Sequence, residues 1–299
     1  MRDTDINPFN KAFEKPAFVS YIVAGDPSPA ESIETAKALI DGGADVIELG
    51  FPFSDPVGDG PVIQRADTRA LDAGFKTGDI FRVAEGIREY SDVPVVIMTY
   101  LNPVVTTGTD LFYKTAKESG VNGILIVDMP VEESDIITDA AKRYDLAQIF
   151  LISTNTSEER IAGILQASAE INISSGNSGS TITRGFVYLV SSPGVTGARD
   201  SLSHDVFSLI SKVRQISDEL GISMPLAVGF GIARRSQAED IINAGADGFI
   251  VGSAIVKIIE KYSDDINLQR AMIRKFAEEI TEFRSLPESP ASDAADDSG

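Results

Sequence analysis

The segment ADVIELGFPFSDPVGDGP, residues 44–61, joins a short apolar run to a loop of prolines, glycines and carboxylates. Side chains along a strand point alternately to opposite faces. If the apolar Ile47 and Leu49 face a layer of helices, Val46 and Glu48 turn inward, and a carboxyl closes an otherwise apolar strand. Buried parallel strands have this apolar character, and in a barrel of such strands chemistry sits at their C-terminal ends.

The same kind of run recurs along the chain. AFVSYIVAG (17–25), VPVVIMTY (93–100), NGILIVD (122–128), AQIFLIS (147–153), GFVYLVS (185–191), PLAVGFG (225–231) and GFIVGSA (248–254) bring the candidates to eight. Amphipathic segments such as PAESIETAKALIDG and SDIITDAAKRYD lie between them and supply the crossovers that parallel strands need. Eight strand-helix units predict an α/β chain folded as a single-domain (β/α)8 TIM barrel over residues 1–284. A doubly wound open sheet is the structural alternative, because periodicity does not report closure. GGADVIELG, SGVNGILIVD and AGADGFIVGSA enter their strands alike, through small residues that allow a tight turn after a helix.

Two segments stand outside this alternation. INISSGNSGSTIT (171–183) is rich in Ser, Gly and Asn and reads as a flexible insertion on the barrel's N-terminal face, remote from an active site. SLPESPASDAADDSG (285–299) has carboxylates but no Lys or Arg, and reads as a disordered acidic tail.

Composition narrows the classes of function. The 45 acidic against 26 basic residues give a formal charge of -19, which disfavours nucleic acid and other polyanionic partners. That acidity fits either a high-salt interior or simply an acidic surface. No apolar run is long enough for a membrane span, and the N-terminus has no secretory apolar region. With the absence of cysteine, a cytoplasmic location is expected. The sole histidine, His204, falls where a helix begins, so neither a Ser-His-Asp triad nor a Cys/His zinc site is expected and acid-base work falls to Asp, Glu, Lys or Tyr.

Glu48, near the mouth of the barrel, would have its pKa raised by desolvation and could exchange protons near neutrality. In the loop after it, Pro52, Pro56 and Pro61 restrict the backbone while Gly58 and Gly60 permit sharp turns, an arrangement able to carry Asp59 over the mouth. Structural pairing of Glu48 with a base, solvation of Asp59, and a metal held by Glu48, Asp55 and Asp59 are the alternatives. VGFGI (228–232) and VGSAIV (251–256) end the seventh and eighth strands, where barrels commonly bind phosphate; GVTG (194–197) could complete such a cradle.

Taken together, ELGFPFSDPVGDGP, YIVAGDP, SSPGVTGAR, VGFGI and VGSAIVKIIE resemble the tryptophan synthase alpha chain family over about residues 8–283. The resemblance implies a TIM-barrel lyase of tryptophan biosynthesis that cleaves indole-3-glycerol phosphate to indole and glyceraldehyde 3-phosphate. It makes Glu48 the acid-base group and Asp59 the carboxylate at the indole NH. Gly197, Gly231, Gly252 and Ser253 match the phosphate cradle; Tyr21, Met98 and Tyr100 line the indole pocket, Tyr188 stands beside Glu48, and Thr196 meets the loop aspartate on closure. The aromatics could instead simply fill the barrel core. The resemblance implies neither metal nor cofactor in this chain, and an alpha2-beta2 assembly whose beta chain holds pyridoxal phosphate, with Asp55 and Pro56 facing that partner. Ser192 stands where many members have arginine and Phe186 where an additional tyrosine is common; both are expected near loop six. Another phosphate-binding barrel enzyme, or a barrel kept only as a binding subunit, are the competing readings.

Overall fold

The computed structural model describes residues 7–175, 181–190 and 204–285. Ser192, Thr196, Gly197 and the acidic segment 286–299 lie outside them. The described strands are β1 (Ala17–Val23), β2 (Val46–Gly50), β3 (Val95–Thr99), β4 (Gly123–Ile126), β5 (Ala147–Ile149), β6 (Leu151–Ser153), β7 (Ile173–Ser175), β8 (Thr181–Thr183), β9 (Val187–Val190), β10 (Leu226–Gly229) and β11 (Gly248–Val251). Nine of them form one sheet in the order β5-β4-β3-β2-β1-β11-β10-β9-β6, and every pairing in it is parallel.

The two ends of that sheet are halves of one strand. β5 and β6 are parted only by Phe150, whose carbonyl accepts the amide of Tyr188 at 3.1 Å. β5 pairs with β4 and β6 with β9, so the ring closes into the eight-position barrel and the open-sheet alternative is removed.

Strand alternation builds two cores. Val19, Val46, Val96, Leu125, Ile149, Ala227 and Ile250 fill the barrel. Phe18, Ile47, Leu49, Ile97, Ile124, Val187 and Leu189 pack outward in the layer shared with the helices. The register sets Tyr21 of β1 and Val96 of β3 on either side of Glu48, all on the inner face. Glu48 therefore sits one step above the Val19–Val46 layer, toward the C-terminal mouth.

A short helix, Pro8–Ala12, closes the other end; its Asn7 cap accepts the amide of Phe9 at 3.1 Å. Phe9 and Phe13 meet Phe186, with ring centroids 6.1 and 5.5 Å apart. This corrects the expectation for Phe186. It precedes β9, so it lies at the N-terminal floor, 1% exposed, and not near the loops of the mouth.

The segment 171–183 also departs from its reading as a loop. Residues 171 and 172 finish the helix Glu158–Asn172, and β7 pairs antiparallel with β8. Asn172 is fully buried because its amide acts as a strand partner. It donates to the Gln148 carbonyl and accepts the Gln148 amide, both at 2.8 Å.

The last of the described residues are sewn to the same floor. After the helix Ile266–Thr281, Arg284 donates to the carbonyls of Gly43 (2.7 Å) and Pro16 (3.1 Å) and pairs with Asp45, fixing the entries to β1 and β2. Among the described residues, no helix is long and apolar enough to cross a membrane.

Candidate active site

Glu48 is fully buried, and neither carboxylate oxygen has a hydrogen-bond partner. Loss of water raises its pKa, and the charge of Asp59 raises it further, to about 8. Among the described residues no base pairs with it, which speaks against the structural alternative of a salt-bridged glutamate. A carboxyl in this state is neutral at pH 7 yet able to give and regain a proton near that pH.

Tyrosines flank it, and glycines make their room. A Cβ on Gly50 would fall 2.1 Å from the Tyr21 hydroxyl oxygen, and one on Gly229 would fall 2.8 Å from the Tyr188 ring. Glycine at the ends of β2 and β10 thus lets both rings lie across the mouth. Burial pushes both phenols upward in pKa, and the charges of Glu48 and Asp59 add to it, so they remain hydroxyl donors. Met98 lies beside Gly50 in the β2–β3 register, on the same inward side.

The loop after β2 is held by tertiary contacts as well as by its own turns. Within it, the amide of Asp59 reaches the Pro56 carbonyl at 3.0 Å. The Tyr100 hydroxyl donates to Asp59 Oδ2 at 2.7 Å and accepts the Gly58 amide at 3.0 Å. The Tyr100 ring stacks on Phe53, 4.8 Å between centroids. The resemblance placed Tyr100 among pocket-lining aromatics, and the structure adds a hydroxyl that holds the loop carboxylate. Burial raises the pKa of Asp59 and the Tyr100 hydrogen bond opposes that rise.

Asp55 points elsewhere. It is exposed and accepts the neighbouring Ser54 hydroxyl at 2.7 Å, while Pro56 is half-buried. Glu48, Asp55 and Asp59 do not converge, and among the described residues no group of three or more acidic or imidazole side chains could hold a metal ion. Val57, which the sequence reading passed over, is 81% exposed at the tip of the same loop.

β10 and β11 are neighbours, so the loops that follow them emerge side by side at the mouth. Gly231 has φ +68°, open to glycine, and no atom lies within 4 Å of where its Cβ would be. Gly252 caps the helix Ser253–Lys261, whose first residue is Ser253. Unpaired amides and the positive end of the helix dipole there suit an anion. His204, by contrast, begins the helix His204–Leu220 and is exposed.

A further acidic group was missed by sequence reading. Asp67 lies on the buried stripe Ile63, Ala66, Asp67, Ala70 of the helix Pro61–Asp72 and is 3% exposed. The signal was present as a carboxyl at an apolar-stripe position. Nearby, Arg69 grips Asp26 through two bonds of 2.9 and 2.7 Å and reaches Glu260 at 3.2 Å. Arg65 holds the same Glu260 at 2.7 and 2.8 Å. This network ties the loop after β1 and the helix after Asp59 to the helix that begins at Ser253.

Comparison with known proteins places this geometry in context. The family model described as tryptophan synthase alpha chain matches residues 9–286. A tryptophan synthase alpha chain of Methanoregula boonei is 45% identical over 262 residues, covering 88% of this chain and 91% of its own. One from Thermococcus kodakarensis is 42% identical over 266 residues, covering 89% and 96%. Among solved structures, a chain of the tryptophan synthase α2β2 complex of Pyrococcus furiosus superposes with a TM-score of 0.78 at 36% identity, over 89% of this chain and 98% of that one.

Proposed function

Because the chain belongs to the tryptophan synthase alpha chain family, we propose that it is the lyase subunit that cleaves indole-3-glycerol phosphate to indole and glyceraldehyde 3-phosphate. The observation that carries the reading is the pairing of a buried Glu48, whose carboxyl oxygens have no hydrogen-bond partner, with a loop Asp59 held by Tyr100.

The chemistry needs both groups. The bond between indole C3 and the glycerol carbon breaks only when its electron pair can return to the ring. Glu48, neutral because it is buried, protonates C3. The resulting carboxylate takes the proton of the glycerol hydroxyl as that carbon becomes an aldehyde, and Glu48 ends as it began. Positive charge passes to the indole nitrogen, where Asp59, in a water-poor site, stabilises it. Gly231, Gly252 and Ser253 receive the phosphate through backbone amides; Gly197, the further cradle residue of the resemblance, and Thr196, its partner for the loop aspartate, lie outside the described residues. Tyr21, Met98 and Tyr188 bound the indole.

The product passes to a beta chain that holds pyridoxal phosphate, and the exposed Asp55 and Val57, with Pro56, face that partner. The barrel acts as one domain over residues 1–284, in the cytoplasm. The test is indole release from indole-3-glycerol phosphate, measured with and without the beta chain. Ligand binding without turnover in both assays would refute the lyase reading.

A further inference from the structure

Asp67 has no role in the reaction as described, yet it is a carboxyl buried under the helix that follows Asp59. Its Oδ2 has no hydrogen-bond partner. The two cations close to it in sequence are already committed: all three nitrogens of the Arg69 guanidinium bond Asp26 or Glu260, and those of Arg65 bond Glu260 and the Pro61 carbonyl. Tyr21 and Tyr100 feel the charge of Asp67, and Asp67 feels those of Asp59 and Asp26. These are the titratable groups that face it from the loop after β1, from β1 itself, from the loop after β2 and from the end of β3.

Two carboxyls in one low-dielectric site cannot both ionise cheaply, and the negative charge settles on the one with the better donors. Asp59 has the Tyr100 hydroxyl at 2.7 Å. Asp67 has none. We propose that Asp67 is a positioning residue of the lyase site: it retains the proton of the pair, so that the single negative charge stays on Asp59, where the indole nitrogen arrives. This rests on the reading of Asp59 as the indole-facing carboxylate.

Burial, with the fields of Asp59 and Asp26, lifts the Asp67 pKa to about 8, in keeping with a protonated form at neutral pH. Tyr100 then does more than hold a loop. It decides which carboxyl is charged, and without its hydroxyl the charge would shift toward Asp67, away from the substrate.

The test is a double-mutant cycle in the full chain, assayed for indole release with the beta chain present. Tyr100→Phe should lower kcat about tenfold or more, with KM changed little, since a bond to a charged group is lost. Adding Asp67→Asn, which cannot take the charge, should recover at least about threefold of that loss. A double variant whose loss is the product of the two single losses, or greater, overturns the proposal, because a structural role predicts that outcome. Carbon-13 NMR of aspartate-labelled wild-type chain gives an independent reading that needs no folded variant beyond Asp67→Asn for assignment. The Asp67 carboxyl should titrate near pH 8, and titration in the ordinary aspartate range overturns the proposal. Asp59→Asn with turnover like wild type would refute the assignment of Asp59 itself. An inactive Asp59→Asn beside an additive cycle refutes only the role of Asp67.

Discussion

Replacing Glu48 by glutamine should separate what this residue does for the reaction from what it costs the fold. Its carboxyl has a pKa of about 8 in the folded chain, against 4.5 for the unperturbed group, because it is buried and repelled by Asp59. Folding thus favours the protonated form. Below the unfolded pKa both states hold the proton, and the wild type is then at its least penalised. As pH rises from there, the unfolded chain releases the proton while the folded chain retains it. Stability falls by about 1.4 kcal/mol per pH unit until the folded group also ionises. Over that window the loss approaches about 4 to 5 kcal/mol as an upper bound, large beside a whole-domain stability of roughly 5–15 kcal/mol. Glutamine keeps the shape and never charges. The stability advantage of Glu48→Gln over wild type should therefore grow with pH up to about 8 and then level off. Urea unfolding of both chains at matched pH values measures it, and the other titrating carboxyls largely cancel in the difference. Turnover of the variant should be abolished at every pH. A stability difference that stays flat across the window would refute the burial argument, and wild-type-like turnover would refute the acid-base role.

Three further substitutions probe the supports. Gly50→Ala would place a methyl 2.1 Å from the Tyr21 hydroxyl oxygen; the ring must move, costing about 1–3 kcal/mol in thermal unfolding and lowering kcat, and an unchanged chain would deny the close fit. Arg69→Ala should lose about 3–5 kcal/mol, since Asp26 is 1% exposed and would keep a buried charge without its partner; a loss below 1 kcal/mol in urea titration would count against that pair. Phe186→Tyr would bury a hydroxyl among Phe9 and Phe13, costing about 1–3 kcal/mol while kcat stays unchanged, and an effect on kcat without loss of stability would contradict its place at the floor.

Much of this was legible because alternation in a strand is a strict geometric rule. Ile47 and Leu49 outward forced Glu48 inward, and Val187 and Leu189 did the same for Tyr188. Closure was not legible: AQIFLIS reads as one run, and only the pairing of its two halves with different neighbours shows that it seals the ring. Asn172 looked like loop chemistry because composition does not reveal that a side-chain amide can replace a strand partner. PFNKAF gave no sign of closing the floor, since its helix of five residues is defined by rings distant in sequence. Phe186 was misplaced by a resemblance, although its position before a strand already put it at the N-terminal end. Asp67 was not singled out, because only the burial of its helix stripe, Ile63, Ala66 and Ala70, marks its carboxyl as unusual.

The mouth also explains how so acidic a chain accepts a phosphorylated substrate. Glu48 and Asp67 both have pKa values of about 8, so at pH 7 they add little charge. In the proposed function, binding of the anion falls to neutral amides at Gly231, Gly252 and Ser253, whose attraction does not depend on a basic residue. Neutrality at Glu48 is also what allows it to donate a proton, so the same desolvation serves binding and chemistry. That desolvation depends on the rings of Tyr21 and Tyr188, which lie across the site only because Gly50 and Gly229 leave them room. The glycines that end the strands are thus part of the electrostatics: they admit the aromatic cover that keeps water from Glu48, and without it the carboxyl would return to an ordinary, ionised surface group.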